Sequence, residues 1–480
     1  MDQQLQRRRL VIFPCPLQGH INPMLQLVSI LHSHSKGALS ITIVHAQFNS
    51  PNPSNYPDFN FLSITDGLSQ SEIESSTKDV SAFLTILNRK CVEPFRDCLV
   101  NKILSQKHEP PVACLISDAT MHFTQLVADS LQLPRIVLRT SSPMSFVGFA
   151  AFPDLRQKGY VPVRESELEA PVPEIPHLKL KDLPVIKSYN SEVFFQLAAD
   201  MTNQTKASSG LIVNTFESLD KLALELLNKT FAVPIFAVGP FHKFSSASSS
   251  SSLMTPDQTC ISWLNKQAPS SVVYVSFGSI ASISKAKLVE IAMGLVNSEQ
   301  SFLLVLRSGF IIDKSDDDKD KNEESYLTKL LPQKLNEMIM RGRGCIVKWA
   351  PQQEVLAHPS IGVFWTHCGW NSTLEGICEG VPMLCWPCFG DQMVNARFVS
   401  QVWRVGYQLE NGLQRGDIER SLKRLMVQEN NKEREEMMVR VKDLKEMAEL
   451  CQKEGGSSFQ SLQNLMDYIF SRNSDLKIAN

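Results

Sequence analysis

The sequence predicts an α/β protein made of two doubly wound, parallel-sheet domains. Three observations predict it. Short apolar runs alternate with helix-periodic segments along the 480 residues. A serine tract, Ser245 to Ser252 (SSASSSSS), interrupts the alternation near the middle. Hydrophobic residues make up 43% and charged residues 20%, which supplies cores and argues against a disordered chain.

In the first half, Arg9–Phe13, Ser40–Val44, Ala113–Ser117, Arg135–Leu138 and Gly210–Val213 read as buried strands. Pro23–His34 and Met121–Leu131 read as helices between them. In the second half the strands are Ser271–Phe277, Phe302–Arg307, Gly344–Lys348, Gly362–Trp365 and Val381–Cys385. The helical segments there are Lys285–Asn297, Pro351–Ala357, Asn371–Glu379, Asn395–Val402 and Asp417–Met426. Such alternation implies parallel sheets with helices on both faces. The serine tract cannot bury apolar surface and behaves as a linker. It follows Val238-Gly239-Pro240, a stop signal. The expected division is residues 1–242, a linker 243–256, residues 257–456, and a closing helix and tail 457–480. Two such domains place a cleft between them, and ligands of open parallel sheets collect at strand carboxyl ends.

Composition narrows the partners. Lys+Arg 48 against Asp+Glu 50 gives a net charge of −2, so nothing calls for nucleic acid or an anionic membrane. The 11 cysteines are scattered and odd in number, which is no disulfide framework; they read as small buried residues in a reducing compartment. Sequons stand at Asn203, Asn228 and Asn371, but their use requires secretion. Arg7-Arg8-Arg9 before Leu-Val-Ile-Phe resembles a signal-peptide start, yet Pro14, Pro16, Gln18 and His20 break the apolar run. The uncharged stretch Leu10–Ser35 holds three prolines and will not span a bilayer. A soluble cytoplasmic protein, working as a monomer, is expected.

The chemistry concentrates in the second half. A buried strand runs into His367, then Gly369, then a helix beginning near Asn371. Asn, Ser and Thr favour helix starts. A helix start offers backbone N–H groups and the positive end of the dipole, a ready anion site. Gly369 lets backbone approach a ligand, and His367 adds a donor. Ser279, after a strand ending in Phe277-Gly278, offers a second polar turn. Glu375, one helical turn past Asn371, suits a diol such as a ribose; the bland alternative is an exposed helix glutamate. Trp349 ends a strand and could stack on a nucleobase or simply fill the core. Asp391-Gln392 follows another strand end, where a carboxylate beside an amide can bind several hydroxyls. In the first half, His20 precedes a helix started by Pro23, and Asp118 ends a strand. A histidine suits abstraction of a hydroxyl proton near neutral pH.

Residues 349–392, WAPQQEVLAHPSIGVFWTHCGWNSTLEGICEGVPMLCWPCFGDQ, closely resemble the signature box of plant family 1 UDP-sugar glycosyltransferases of secondary metabolism. The likeness extends from Pro16-Leu-Gln-Gly-His-Ile-Asn-Pro to Gly455-Gly-Ser-Ser-Phe. It is greatest to the subgroup containing steviol-glycoside and cytokinin glucosyltransferases. The resemblance implies the GT-B fold, with an N-terminal acceptor domain, a C-terminal UDP-sugar domain and a last helix crossing back to the first. It implies that Trp349 stacks on uracil, with the Ala350 backbone and Gln352 nearby, and that Glu375 accepts the ribose diol. His367, Asn371, Ser372 and Ser279 would bind the diphosphate, with Gly369 in the same UDP-sugar site. Trp370, Asp391 and Gln392 would bind the sugar, the terminal glutamine usually accompanying glucose. His20 would be the catalytic base, Asp118 its orienting partner, and Thr140 part of the acceptor wall. UDP-glucose would be co-substrate, with no further cofactor and no metal. The reaction implied is inverting glucosyl transfer to a hydroxyl, carboxyl or nitrogen of a small lipophilic metabolite.

Two features lie outside that pattern. The run Asp313–Ser325 (DKSDDDKDKNEES) reads as a solvated surface loop. Its alternative is an Asp-x-Asp metal site through Asp316 and Asp318, as in metal-dependent sugar transferases. Cys385-Trp-Pro-Cys388 could be redox-active or half a zinc site, but no second ligand pair accompanies it.

Overall fold

The computed structural model describes residues 7–76, 78–186, 188–244, 254–307, 309–311, 330–426 and 432–471. The serine tract and the charged run Asp313–Ser325 lie outside the described residues. The chain divides into two compact units. The first takes in Met1–Leu253, Phe389–Asp391 and Met447–Asn480; the second takes in Met254–Cys388 and Gln392–Glu446.

The first unit is built on seven strands: β1 (Arg8–Phe13), β2 (Leu39–Ala46), β3 (Phe59–Ile64), β4 (Val112–Asp118), β5 (Arg135–Arg139), β6 (Gly210–Val213) and β7 (Ile235–Ala237). Their order is β3-β2-β1-β4-β5-β6-β7, and the pairings are parallel. β1, β4, β5 and β6 are buried along their whole length, as strands of a doubly covered sheet should be. Helix α1 (Gln18–His34) follows β1, and α2 (Glu217–Thr230) follows β6.

The structure corrects one expectation here. α1 starts at Gln18, five residues before Pro23, so His20 sits in the first helical turn and not in a loop. The ladder is already running there, with Ile21 N–H donating to Leu17 O at 2.9 Å. Pro23 omits a single N–H bond near the helix start, a loss the rest of the buried helix absorbs.

The second unit holds six strands: β8 (Val272–Ser276), β9 (Ser301–Val305), β10 (Gly344–Val347), β11 (Ile361–Thr366), β12 (Met383–Cys385) and β13 (Gly406–Gln408). Their order is β10-β9-β8-β11-β12-β13, again with parallel pairings. Helix α3 (Lys285–Ser298) follows β8, α4 (Gln352–Leu356) follows β10 and α5 (Trp370–Glu379) follows β11.

Both sheets reverse their strand order once, between β1 and β4 in the first and between β8 and β11 in the second. At such a reversal neighbouring strands send their chains to opposite faces, which opens a crevice at their carboxyl ends. The last helix, α6 (Ser457–Ser471), belongs to the first unit. Its Leu462, Leu465 and Ile469 join Leu10, Ile12 and Leu25 of β1 and α1 in one buried cluster. No described helix is long and apolar enough to cross a membrane.

Candidate active site

His20 and Asp118 flank the reversal in the first sheet. β1 and β4 run side by side, α1 carries His20 just past β1, and Asp118 is the last residue of β4. His20 Nδ1 lies 2.8 Å from Asp118 Oδ2. The carboxylate is fully buried, whereas the histidine side chain keeps 25% of its surface. With Nδ1 donating to the carboxylate, Nε2 carries the lone pair. Thr140, which follows β5, also reaches this point: its Oγ1 is 2.8 Å from His20 Nδ1 and donates to Asp118 Oδ2 at 3.4 Å. The other oxygen, Oδ1, accepts from Thr120 N–H at 2.8 Å and Thr120 Oγ1 at 2.6 Å.

Burial pushes the Asp118 carboxyl up, but the charge and hydrogen bond of His20, with the Thr120 bonds, outweigh it and hold the group below its ordinary value. Asp118 is therefore an anion in a dry place, kept so by its partners. The arrangement can take a proton at Nε2 and stabilise the resulting imidazolium. The threonines escaped sequence reasoning as partners of the dyad. Asp118-Ala-Thr120 could have been found as an Asx turn; Thr140 had no such local signal.

His367 and Ser279 flank the reversal in the second sheet, just past β11 and β8. His367 packs against two glycines. A Cβ on Gly278 would lie 2.5 Å from its Nε2, and one on Gly369 would lie 2.6 Å away. Burial pushes the imidazole down to about 4; the Ser276 carbonyl pulls it up and the Arg307 charge presses it down further. At neutral pH His367 is an uncharged ring able to donate one hydrogen bond.

The helix starts near Asn371 as expected, but its capping differs. α5 begins at Trp370, Gly369 is its N-cap, and no side chain caps it; Asn371 and Ser372 fall inside the first turn. Cys368 makes the turn in the left-handed region at φ +65°, fastened by its N–H to Thr366 Oγ1 at 3.0 Å and its carbonyl to Asn395 Nδ2 at 2.9 Å. A non-glycine residue held there carries strain that the surrounding bonds must offset. Trp370 is 3% exposed, its indole 6.4 Å from the ring of Trp403.

Glu375, 8% exposed, lies on the first turns of α5 and is held from α4. Gln352 Nε2 donates to Glu375 Oε2 at 2.6 Å and to Ser372 Oγ at 2.8 Å. Gln353 Nε2 donates to Glu375 Oε1 at 3.0 Å, and Tyr274 OH donates to Gln352 Oε1 at 3.1 Å. Gln352, Ser372 and Glu375 thus form one network. Gln353 and Tyr274 were not foreseen. Trp349 lies two residues past β10 rather than ending it; it is half-buried, and Ala350 beside it is buried. Gln392 is 5% exposed and its Oε1 accepts from Cys388 N–H at 2.8 Å. Asp391 clusters with the first unit and Gln392 with the second. Among the described residues, no group of three or more His, Cys, Asp or Glu could hold a metal ion.

Residues 21–447 match the family described as UDP-glucoronosyl and UDP-glucosyl transferase. The chain is similar to UDP-glycosyltransferase 76B1 of Arabidopsis thaliana, at 48% identity over 96% of this chain and 98% of that protein. It is 43% identical to UDP-glycosyltransferase 76G1 of Stevia rebaudiana, over 97% of each. Among solved structures it resembles Medicago truncatula UGT71G1 complexed with UDP-glucose, with a TM-score of 0.78 and 25% identity over 97% of this chain and 98% of that one. Os79 from O. sativa in complex with UDP gives a TM-score of 0.80 and 25% identity over 96% and 100%.

Proposed function

Because the chain belongs to the UDP-glucoronosyl and UDP-glucosyl transferase family, with its GT-B fold, and is a UDP-glycosyltransferase, we propose that it is an inverting, UDP-glucose-dependent glucosyltransferase of small lipophilic plant metabolites. The carrying observation is the His20–Asp118 pair: a partly exposed imidazole backed by a buried, ionised carboxylate. His20 Nε2 takes the proton of the acceptor hydroxyl. The acceptor oxygen attacks the anomeric carbon of UDP-glucose opposite the diphosphate. The bond to UDP breaks, its electron pair leaves with UDP, and Asp118 stabilises the imidazolium. A carboxyl or nitrogen acceptor follows the same course, with less demand on the base.

The first unit takes the acceptor, with Thr140 beside the dyad. The donor groups, apart from Asp391, belong to the second. Trp349 and the Ala350 backbone hold the uracil. Glu375, braced by Gln352, holds the ribose. Ser279, His367, Gly369, Asn371 and Ser372 hold the diphosphate. Trp370, with Asp391 and Gln392, holds the glucose. The start of α5 supplies the positive field for the leaving diphosphate, so the reaction runs without a metal. The odd number and scatter of the 11 cysteines fit a reducing cytoplasm. The enzyme acts as a monomer.

The test is the anomeric configuration of the product. Donor UDP-α-glucose and a panel of hydroxyl acceptors are incubated with excess chelator, and the anomeric proton coupling is read by NMR. A β-glucoside, formed as fast as without chelator, is expected. An α-glucoside overturns inversion, and loss on chelation restored by Mn²⁺ overturns metal independence. UDP binding without turnover on any acceptor would favour a non-catalytic UDP-sugar-binding protein.

A further inference from the structure

We propose that Arg307 is a positioning residue of the donor site, whose guanidinium fastens the Gly278–Ala281 turn so that Ser279 meets the diphosphate beside His367. This rests on the UDP-sugar reading above. Arg307 lies two residues past β9, the neighbour of β8 in the sheet. Its Nε donates to Gly278 O at 3.0 Å, and a terminal nitrogen donates to Ala281 O. One planar fork therefore grips the carbonyls at both ends of the turn that carries Ser279.

The chemistry gives that grip a purpose. Carbonyl oxygens are the negative ends of peptide dipoles, and a diphosphate repels them. Bonding both to a guanidinium commits them to the cation and fixes the turn in one position. The turn has little room to be elsewhere. Gly278 has φ +71°, and a Cβ there would strike the His367 ring. Turn and imidazole are thus held at contact distance, and moving one displaces the other. A lysine could replace the charge but not the fork, since an ammonium is a point donor.

The experiment titrates uridine and UDP into the wild type, Arg307→Lys and Arg307→Gln by calorimetry, with melting curves as a check on folding. Uridine reports the Trp349 and Glu375 end alone, and the diphosphate adds the end that Arg307 serves. Both variants should lose about tenfold in UDP affinity, the scale of one hydrogen bond to a charged group. Uridine affinity should not change in either. Equal losses for uridine and UDP would mean general damage to the unit and would overturn the proposal. So would full UDP affinity in Arg307→Lys, which would leave charge and not the two-carbonyl grip as the cause, or in Arg307→Gln. A wild type that binds UDP no better than uridine would instead contradict the UDP-sugar reading itself.

Discussion

Asp118 shows two opposing effects on one side chain. Burial alone would protonate it, and its bonded partners keep it ionised. The sign of the stability linkage follows. A carboxyl whose folded value is depressed adds stability above its unfolded value, about 3.9, and loses it as pH falls through the lower folded value. The pair therefore stays intact across the neutral range in which the proposed base must work. His20→Ala should lower turnover on a hydroxyl acceptor by about 10²–10⁴-fold, with UDP affinity unchanged, since the UDP-binding groups belong to the second unit. Asp118→Asn should also lose much of its turnover, and the double variant should be little worse than the worse single one. Steady-state rates paired with UDP titrations check this. Additive losses, or a loss wholly in UDP affinity, would contradict it. At this scale each residue was legible as the neighbour of a strand end, and their pairing only through the family resemblance. Thr140 was not legible as the dyad's partner, because a contact across 120 positions of sequence exists only once the sheet is assembled.

Among the elements, strands buried on both faces were the clearest in the sequence, and Gly210–Val213 coincides with β6. The misses have physical causes. β3 is an edge strand whose Asn60 and Ser63 face solvent, so no continuous apolar run marks it. β13 is three residues long, too short for any period to register. The start of α1 was hidden by Pro23, which reads as a helix opener but sits inside. α2 hides a kink: Asp220 has φ −122° and ψ 30° and is 3% exposed. Burial pushes its carboxyl up to about 7, against the pull of the Thr215 hydroxyl, which donates to Oδ2 at 2.5 Å. A raised folded value contributes stability that is present below the unfolded value and lost as pH rises to about 7. Asp220→Asn keeps the shape and removes that loss. Its melting temperature relative to wild type should therefore rise between pH 4.5 and pH 8. Each kcal/mol relieved is worth about 2–4 °C in a unit of this size. A difference that stays flat across that range would show that Asp220 is ionised in the fold throughout.

For the whole molecule, two α/β halves were legible because each repeats the strand–helix alternation, and a topological reversal in each sheet is flanked by His20 and Asp118 in the first and by Ser279 and His367 in the second. The seam itself was read from a serine tract that lies outside the described residues. What the alternation could not convey is that the end of the chain completes the beginning. Nothing in the local pattern of Ser457–Ser471 names β1 and α1 as its neighbours. Yet Leu462, Leu465 and Ile469 are at most 1% exposed within their cluster, and Ser458 Oγ donates to Gly239 O at 2.6 Å. The last helix is thus structural material of the first unit. Each buried Leu→Ala change costs about 2–5 kcal/mol. A Leu462→Ala, Leu465→Ala pair should therefore remove much of the roughly 5–15 kcal/mol that holds a typical domain folded. Hydrogen exchange on the full-length double variant locates the damage. Amides of β1 and β4, far away in sequence, should lose protection, and amides of β8 and β11 should keep theirs. The variant should then still bind UDP while failing to turn over, because the His20–Asp118 pair stands on the loosened sheet. Uniform loss of protection in both sheets would show that the two units unfold as one. Unchanged protection in β1 and β4 would show that the last helix only lies on the first unit and does not complete its core.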